Sequence, residues 1–263
     1  MNPVLPPPLD VRLMNATATV LFAVVGMLLA AALGWWLVRH PLFAIGGIAV
    51  EGDLTHNTVA TLRAQVTPRL AGNFFTVDLQ RARAVFESVP WVRQAVVRRQ
   101  FPNRLRVALQ EHQAVAYWGA ENESRLVNSF GEVFEANAGD VEQDDLPRLA
   151  GPEGESAQVL AMHRRLKPLF EPLDLAVSEL TLSGRGSWTL QLDTGAVVEL
   201  GRGTADEVAA RSERFAQSLT QVTAKYGRRP EALVSADLRH TDGYAVRLRG
   251  VSTTGADGQR KEK

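Results

Sequence analysis

The sequence predicts a single-pass membrane protein. It carries an α+β domain of order strand, helix, helix, strand, strand, followed by a mixed, strand-rich α+β domain. Three observations predict this. Ala16 to Val38 runs 23 positions without a charged side chain; two cappable helices lie between apolar strands from 43 to 111; short alternating runs broken by turn signals fill most of 113–250.

As a helix rising about 1.5 Å per residue, Ala16 to Val38 reaches roughly 35 Å, enough for a hydrocarbon core of about 30 Å. Lipid offers the backbone no hydrogen-bond partners, so a single segment must be helical there. Trp35 and Trp36 end the run at the level of an aromatic belt, and Arg39, His40 and Pro41 follow. A cleaved signal peptide is the rival reading, since Ala30, Ala31 and Ala32 satisfy its cleavage pattern. Arg12 is the only positive side chain before the run, however, and the run continues through Val38, which favours an uncleaved span. Flanking charge leaves its direction undecided: Arg12 and the amino terminus balance Arg39.

Composition narrows the classes. The 263 residues hold 29 cations and 29 anions, so no global basic field attracts nucleic acid. Cysteine is absent, which removes disulfides, thiolate catalysis and cysteine-ligated zinc.

Residues 1–15 contain Pro3, Pro6, Pro7 and Pro8 and are expected to form an extended tail, with the span at 16–38. Phe43 to Val50 reads as a strand and Gly52-Asp53 as its turn. Thr58 caps a helix with apolar Val59, Leu62, Val66 and Leu70, whose last turn Pro68 distorts. Asp78 caps a second helix burying Leu79, Ala82, Phe86 and Val89, closed by Pro90. Val92 to Gln100 and Leu105 to Glu111 form a hairpin in which Leu105, Val107 and Leu109 alternate with Arg106, Ala108 and Gln110.

The second region begins at 113. Asn128 to Glu132 and Asp193-Thr194-Gly195 are turn signals, and Trp188, Leu190 and Leu192 share a strand face opposite Thr189 and Gln191. Ser156 to about Lys167 forms a helix burying Val159, Met162, His163 and Leu166, limited by Pro168 and Pro172. Thr204 and Glu207 have capping-box spacing and open a helix with Val208, Phe215, Leu219, Val222 and Tyr226 on its apolar face. Two strands follow, Leu233 to Arg239 and Tyr244 to Leu248, joined by Thr241-Asp242-Gly243. The first turns Val234, Ala236 and Leu238 to one face, and the second does so with Tyr244, Val246 and Leu248. Residues 252–263 are small and polar, and 251–263 is expected to be a disordered tail.

Convergent catalytic chemistry is not evident. His40, His56, His112, His163 and His240 are scattered without metal-ligand spacing, and Gly184-Arg185-Gly186 and Gly201-Arg202-Gly203 lack the lysine of a phosphate loop. Asp140, Glu142, Asp144 and Asp145 lack the glycine and closing glutamate of a calcium loop and read as solvated. Arg93, Arg98, Arg99, Arg104 and Arg106 line one hairpin without interleaved aromatics, so they suit a wet sheet face or an acidic protein partner. Asn122-Glu123-Ser124 is a glycosylation pattern with nothing to support it, and Trp91 reads as a core anchor.

Several strings carry a family resemblance. Ile48-Ala49-Val50-Glu51-Gly52, Gly72-Asn73-Phe74-Phe75, Pro90-Trp91-Val92 and Pro102-Asn103-Arg104-Leu105 resemble a polypeptide-transport-associated (POTRA) domain. Directly after a single span, that domain is similar to the one in the FtsQ/DivIB family of bacterial division proteins. Ala114 to Trp118, Leu126 to Phe134, Leu146 to Gly154 and Trp188 to Leu192 resemble the family's second domain in order. The implied boundaries are a POTRA domain at 42–112 and an FtsQ-type β domain at 113–250.

The resemblance implies a non-catalytic scaffold of the cell inner membrane at the division septum. Its amino terminus is cytoplasmic, its two domains are periplasmic, and it needs no cofactor or metal. Implied partners are FtsB and FtsL for the second domain. FtsK, FtsW and the septal transpeptidase are further divisome partners, and the POTRA domain is associated with recruitment. Asp237-Leu238-Arg239, Gly243-Tyr244-Ala245-Val246 and Leu200-Gly201-Arg202-Gly203 match family segments near the partner surface. The expected site is therefore Arg202, Asp237, Arg239, His240, Gly243, Tyr244, Val246 and Leu248, on a terminal edge strand, the strand before it and the Leu200–Gly203 segment, with Arg202 and Arg239 placed for partner carboxylates. His240 and Leu248 stand where many relatives carry tyrosine and tryptophan, which leaves Tyr244 as the local aromatic. Two other classes share some features. An outer-membrane assembly factor needs a terminal β-barrel, and an anchored wall hydrolase needs paired carboxylates or a metal site.

Overall fold

The computed structural model describes residues 8–52, 54–120, 124–137, 139, 141, 146–240 and 243–251. The chain divides into two compact units, 1–111 and 112–263. Residues 1–7 of the expected tail at 1–15, the turn residues Asp53, Thr241 and Asp242, the acidic residues Asp140, Glu142, Asp144 and Asp145, Asn122 and residues 252–263 lie outside the described residues.

The first unit opens with helix α1, Leu9–Val38, which starts well before Ala16. Past Pro8 the sequence contains no proline until Pro41, so nothing interrupts the i to i−4 ladder, and the Arg12 N–H already donates to the Pro8 carbonyl at 3.1 Å. The Leu9–Trp36 stretch is long and apolar enough to cross a membrane, and every side chain from Arg12 to Trp36 is exposed.

Strand β1 is Gly47–Gly52, later than the Phe43 start read from the sequence. Pro41 instead begins a 3-10 turn over Pro41–Phe43, whose Leu42 N–H donates to His40 Nδ1 at 3.4 Å. Pairing begins at Gly47, opposite Arg104. Helix α2, Val59–Val66, has the expected Thr58 cap, closed into a box by Thr61. Pro68 lies in a 3-10 turn, Thr67–Arg69. Helix α3, Leu79–Glu87, is capped by Asp78, which accepts from the Gln80 and Arg81 N–H groups. Strands β2, Val92–Gln100, and β3, Arg104–Glu111, complete a sheet in the order β1-β3-β2, with β1 parallel to β3. Leu105, Val107 and Leu109 are buried and their neighbours exposed, as alternation requires. Val107 and Leu109 share one core cluster with Leu62, Val66 and Phe86, and full burial of each such side chain contributes about 1.5–3 kcal/mol.

Glu111 closes this unit. Its buried carboxylate accepts the backbone N–H groups of Thr55, His56 and Asn57 at 3.0, 2.9 and 3.0 Å and the Asn57 amide at 3.0 Å. His56 Nδ1 lies 3.3 Å away, and its ring stacks at 3.7 Å on buried Trp91, the expected core anchor. The hairpin arginines are partly committed to the fold. Arg99 donates to the carbonyls of Phe74 and Val77, and Arg106 pairs with Glu51 at 2.7 Å.

In the second unit come β4 (Ala114–Trp118), β5 (Arg125–Asn128), β6 (Val133–Glu135), β7 (Arg148–Ala150) and helix α4 (Ser156–Phe170). They are followed by β8 (Val177–Leu182), β9 (Ser187–Leu192), β10 (Val197–Arg202), helix α5 (Ala205–Lys225), β11 (Leu233–Asp237) and β12 (Ala245–Leu248). Among the described residues they form one nine-stranded sheet in the order β12-β11-β10-β9-β8-β7-β4-β5-β6. The two helices contact each other, α4 packing on β7 and β8 and α5 on β10. Trp188, Leu190 and Leu192 face this core, and Thr189 and Gln191 turn away.

Three sequence expectations change. Helix α4 continues through Pro168 to Phe170, because the fully buried Phe170 anchors its final turn in the core. Tyr226 leaves the α5 core face and becomes an exposed C-cap, while Ser212, Ala216 and Thr223 are buried there. In β11 a register shift between Leu233 and Ser235 puts Leu233, not Val234, in the core with Ala236 and Leu238. His163 is buried as expected, and burial pushes its imidazole below its ordinary pKa, with the nearby Lys167 and Arg164 charges adding to the shift.

Candidate partner-binding edge

The expected site residues gather on β10, β11 and β12 and the turns between them. The Thr204–Glu207 capping box opens α5 directly after β10, the Thr204 N–H donating to Glu207 Oε2 at 2.8 Å. Helix α5 returns the chain so that β11 lies parallel to β10, with Val198 opposite Ala236. β12 then pairs antiparallel with β11, Ala245 opposite Asp237 and Leu248 opposite Leu233. Among the described residues β12 is one of the sheet's two edge strands, β6 being the other, so one side of its backbone faces no other strand.

Arg239 lies where β11 ends. Its Nε and Nη2 donate to Asp237 Oδ1 and Oδ2 at 2.9 and 2.6 Å, and its own backbone N–H donates to Oδ1 at 3.0 Å. The fork holds the Asp237 carboxyl at about 2, well below the usual carboxylate range, chiefly through the Arg239 side-chain hydrogen bonds. The stem of Arg239 crosses Gly201, whose φ is +77°. A Cβ there would stand 2.9 Å from Arg239 Cγ, so glycine is what lets the arginine lie flat. This contact went unread in the sequence, although a glycine inside an apolar strand is the signal of such a close approach.

Arg202 is exposed at the end of β10, and among the described residues its guanidinium has no intramolecular partner. His240 and Gly243 are also exposed, and a Cβ on Gly243 would meet nothing within 4 Å. Tyr244 turns inward. Its ring meets Phe215 edge-on at 5.1 Å, and its hydroxyl shares a hydrogen bond with Ser218 at 2.5 Å. Val246 packs half-buried against the core, and Leu248 belongs to it. The eight residues thus divide by exposure. Arg202, Arg239, His240 and Gly243 face outward, whereas Tyr244, Val246 and Leu248 hold the edge strand to the body. Asp237 orients Arg239.

Among the described residues no group of three His, Asp or Glu side chains is placed to hold a metal ion. Exposed Arg202, Arg239 and Arg247 lie on or beside these last three strands.

Known proteins resemble the chain along most of its length. The family described as POTRA domain, FtsQ-type, matches residues 43–112, and the one described as Cell division protein FtsQ/DivIB, C-terminal, matches 116–239. The chain is 41% identical over 252 residues to cell division protein FtsQ of Thiomonas arsenitoxydans, covering 94% of this chain and 91% of the relative. The protein of the same name from Burkholderia pseudomallei is 42% identical, with 92% and 94% covered. That of Bordetella pertussis is 38% identical, with 91% and 92% covered. The apolar helix, the POTRA domain and the strand-rich domain that follow one another here therefore place the chain in the FtsQ/DivIB family of cell division proteins.

Proposed function

We propose that the protein is a non-catalytic scaffold of the divisome that binds FtsB and FtsL through the edge formed by β11 and β12. Helix α1 anchors it in the inner membrane with the amino terminus cytoplasmic and both domains periplasmic. The domains are a POTRA domain at 42–112 and a β domain at 113–250, and through them it helps recruit and regulate septal peptidoglycan synthesis. FtsK, FtsW and the septal transpeptidase are its further partners. The observation that carries this reading is β12, a strand at the rim of a large sheet, fastened from inside by Tyr244 and Leu248.

A partner strand adding to β12 gains main-chain hydrogen bonds, and side chains beside it supply the choice of partner. Arg202 meets a partner carboxylate with a full set of donors. Arg239 does so with the N–H groups that Asp237 leaves unused. Co-purification of the detergent-solubilised full chain with FtsB and FtsL tests the reading. A stable complex is expected, and a folded chain that captures neither protein would overturn it.

A further inference from the structure

Three loops of the first unit, 39–46, 71–77 and 101–103, converge where the chain leaves α1. The Asn73 amide donates to the Val38 carbonyl, the Phe74 N–H to Phe43 O at 2.8 Å, and the Gly46 N–H to Asn103 O at 2.8 Å. Arg99 grips the middle loop through the carbonyls of Phe74 and Val77, each at 2.7 Å. Aromatic rings then meet edge to face, Phe43 on Phe75 at 4.9 Å, Phe75 on Phe74 at 5.2 Å and Phe74 on Phe101 at 6.3 Å. The cluster is fixed from within, yet much of it is wet. Leu42 is 72%, Phe75 48% and Phe101 78% exposed. A contiguous apolar surface of this kind marks a binding face for another protein or for lipid.

Its position selects the occupant. Leu42 stands four residues beyond Val38, the last residue of α1. Arg39 lies over the Trp35 ring at 4.1 Å and His40 packs edge-on to Trp36 at 5.1 Å, the mixture of aromatic and cationic groups that suits a bilayer interface. The three loops contain no acidic residue, and Arg104, exposed, adjoins the last of them. A surface tethered this closely to a span loses little further freedom by settling on the lipid beside it.

We propose that this end of the POTRA domain docks on the membrane that α1 crosses. Leu42, Phe75 and Phe101 enter the boundary between headgroups and acyl chains, and Arg39 and Arg104 meet anionic headgroups. The inference rests on α1 spanning the bilayer, and its test separates the two claims.

The sequence has no cysteine, so a single introduced cysteine carries a spin label without competition. The full chain is reconstituted into vesicles of phosphatidylcholine and phosphatidylglycerol. Labels on Leu42→Cys, Phe101→Cys, Gln94→Cys and Leu28→Cys are compared by collision with oxygen and with a polar nickel chelate. Labels at 42 and 101 are expected roughly 5–10 Å into the headgroup and acyl boundary, and the label at 94 in water. Water-exposed labels at 42 and 101 beside a lipid-buried label at 28 overturn the docking and leave the span standing. A water-exposed label at 28 overturns the span as well. Spin–spin broadening at 101 without lipid contact assigns the patch to a second copy and also overturns the docking. In pure phosphatidylcholine the labels at 42 and 101 should shift toward water, and unchanged depth would remove the role given to the two arginines.

Discussion

Glu111 in the first unit and Asp237 in the second both accept several hydrogen bonds, yet only one is sealed from water. The Glu111 side chain is 2% exposed and takes its donors from the backbone of residues 55–57, far away in sequence. Asp237 takes its donors from Arg239, two residues on, and the arginine is itself 60% exposed. The first arrangement cannot open without stripping three part-buried N–H groups of their acceptor, so it belongs to the fold. The second can exchange partners in solvent, so a protein surface can be built on it.

The sharpest way to break the contrast is Glu111→Ala. It should lower the urea-unfolding free energy by about 3 kcal/mol, because three backbone N–H groups lose their acceptor and each one left unsatisfied costs about 1–3 kcal/mol. A loss below about 1 kcal/mol would show that water replaces the carboxylate and that the two sites are alike.

Next is Arg202→Glu, which should weaken FtsB affinity by about 2 kcal/mol or more if its pair with the partner becomes buried. Arg239→Glu should cost less, because half of the fork is already engaged by Asp237. Isothermal titration of both variants checks the order, and the reverse order would move the centre of the site onto Arg239.

Tyr244→Phe keeps the ring against Phe215 and removes the hydroxyl contact with Ser218. It should cost about 1 kcal/mol of stability and leave the site geometry intact. A loss of FtsB binding out of proportion to that would give the Tyr244 hydroxyl a direct part in recognition.

The smallest effect is a pH dependence. The Asp237 carboxyl titrates at about 2 in the folded chain against an ordinary 3.8, so its contribution is complete above about pH 4 and disappears as the pH falls through 2. Asp237→Asn should flatten the stability profile only in that window, and an identical profile would mean the Arg239 fork is not formed in solution.

Much of the fold was legible in the sequence where a local rule decides. Thr58, Asp78 and the Thr204–Glu207 pair cap the helices they were expected to cap, because a cap is a matter of residue type and spacing. Alternation fixed the buried faces of β3 and β9 for the same reason. Misreadings arose where distant contacts override local preference. Phe170 carries α4 past Pro168, and a bulge exchanges Val234 for Leu233 in the core.

At the site, the sequence located the edge strand but not the direction of its side chains. Tyr244 is the local aromatic of the edge, yet Phe215 and Ser218, on a helix more than twenty residues earlier, draw it inward. The sequence places both Arg202 and Arg239 for partner carboxylates, whereas the structure pairs Arg239 with Asp237 and leaves Arg202 without an intramolecular partner among the described residues.

Amide hydrogen exchange across Ala245–Leu248, with and without FtsB and FtsL, tests the central claim most directly. In a strand at a free edge alternate N–H groups point away from the sheet, and a partner strand must protect them. Slowed exchange in β12 on complex formation is the predicted result. A complex that leaves β12 unprotected while slowing exchange only in β2 and β3 would contradict it.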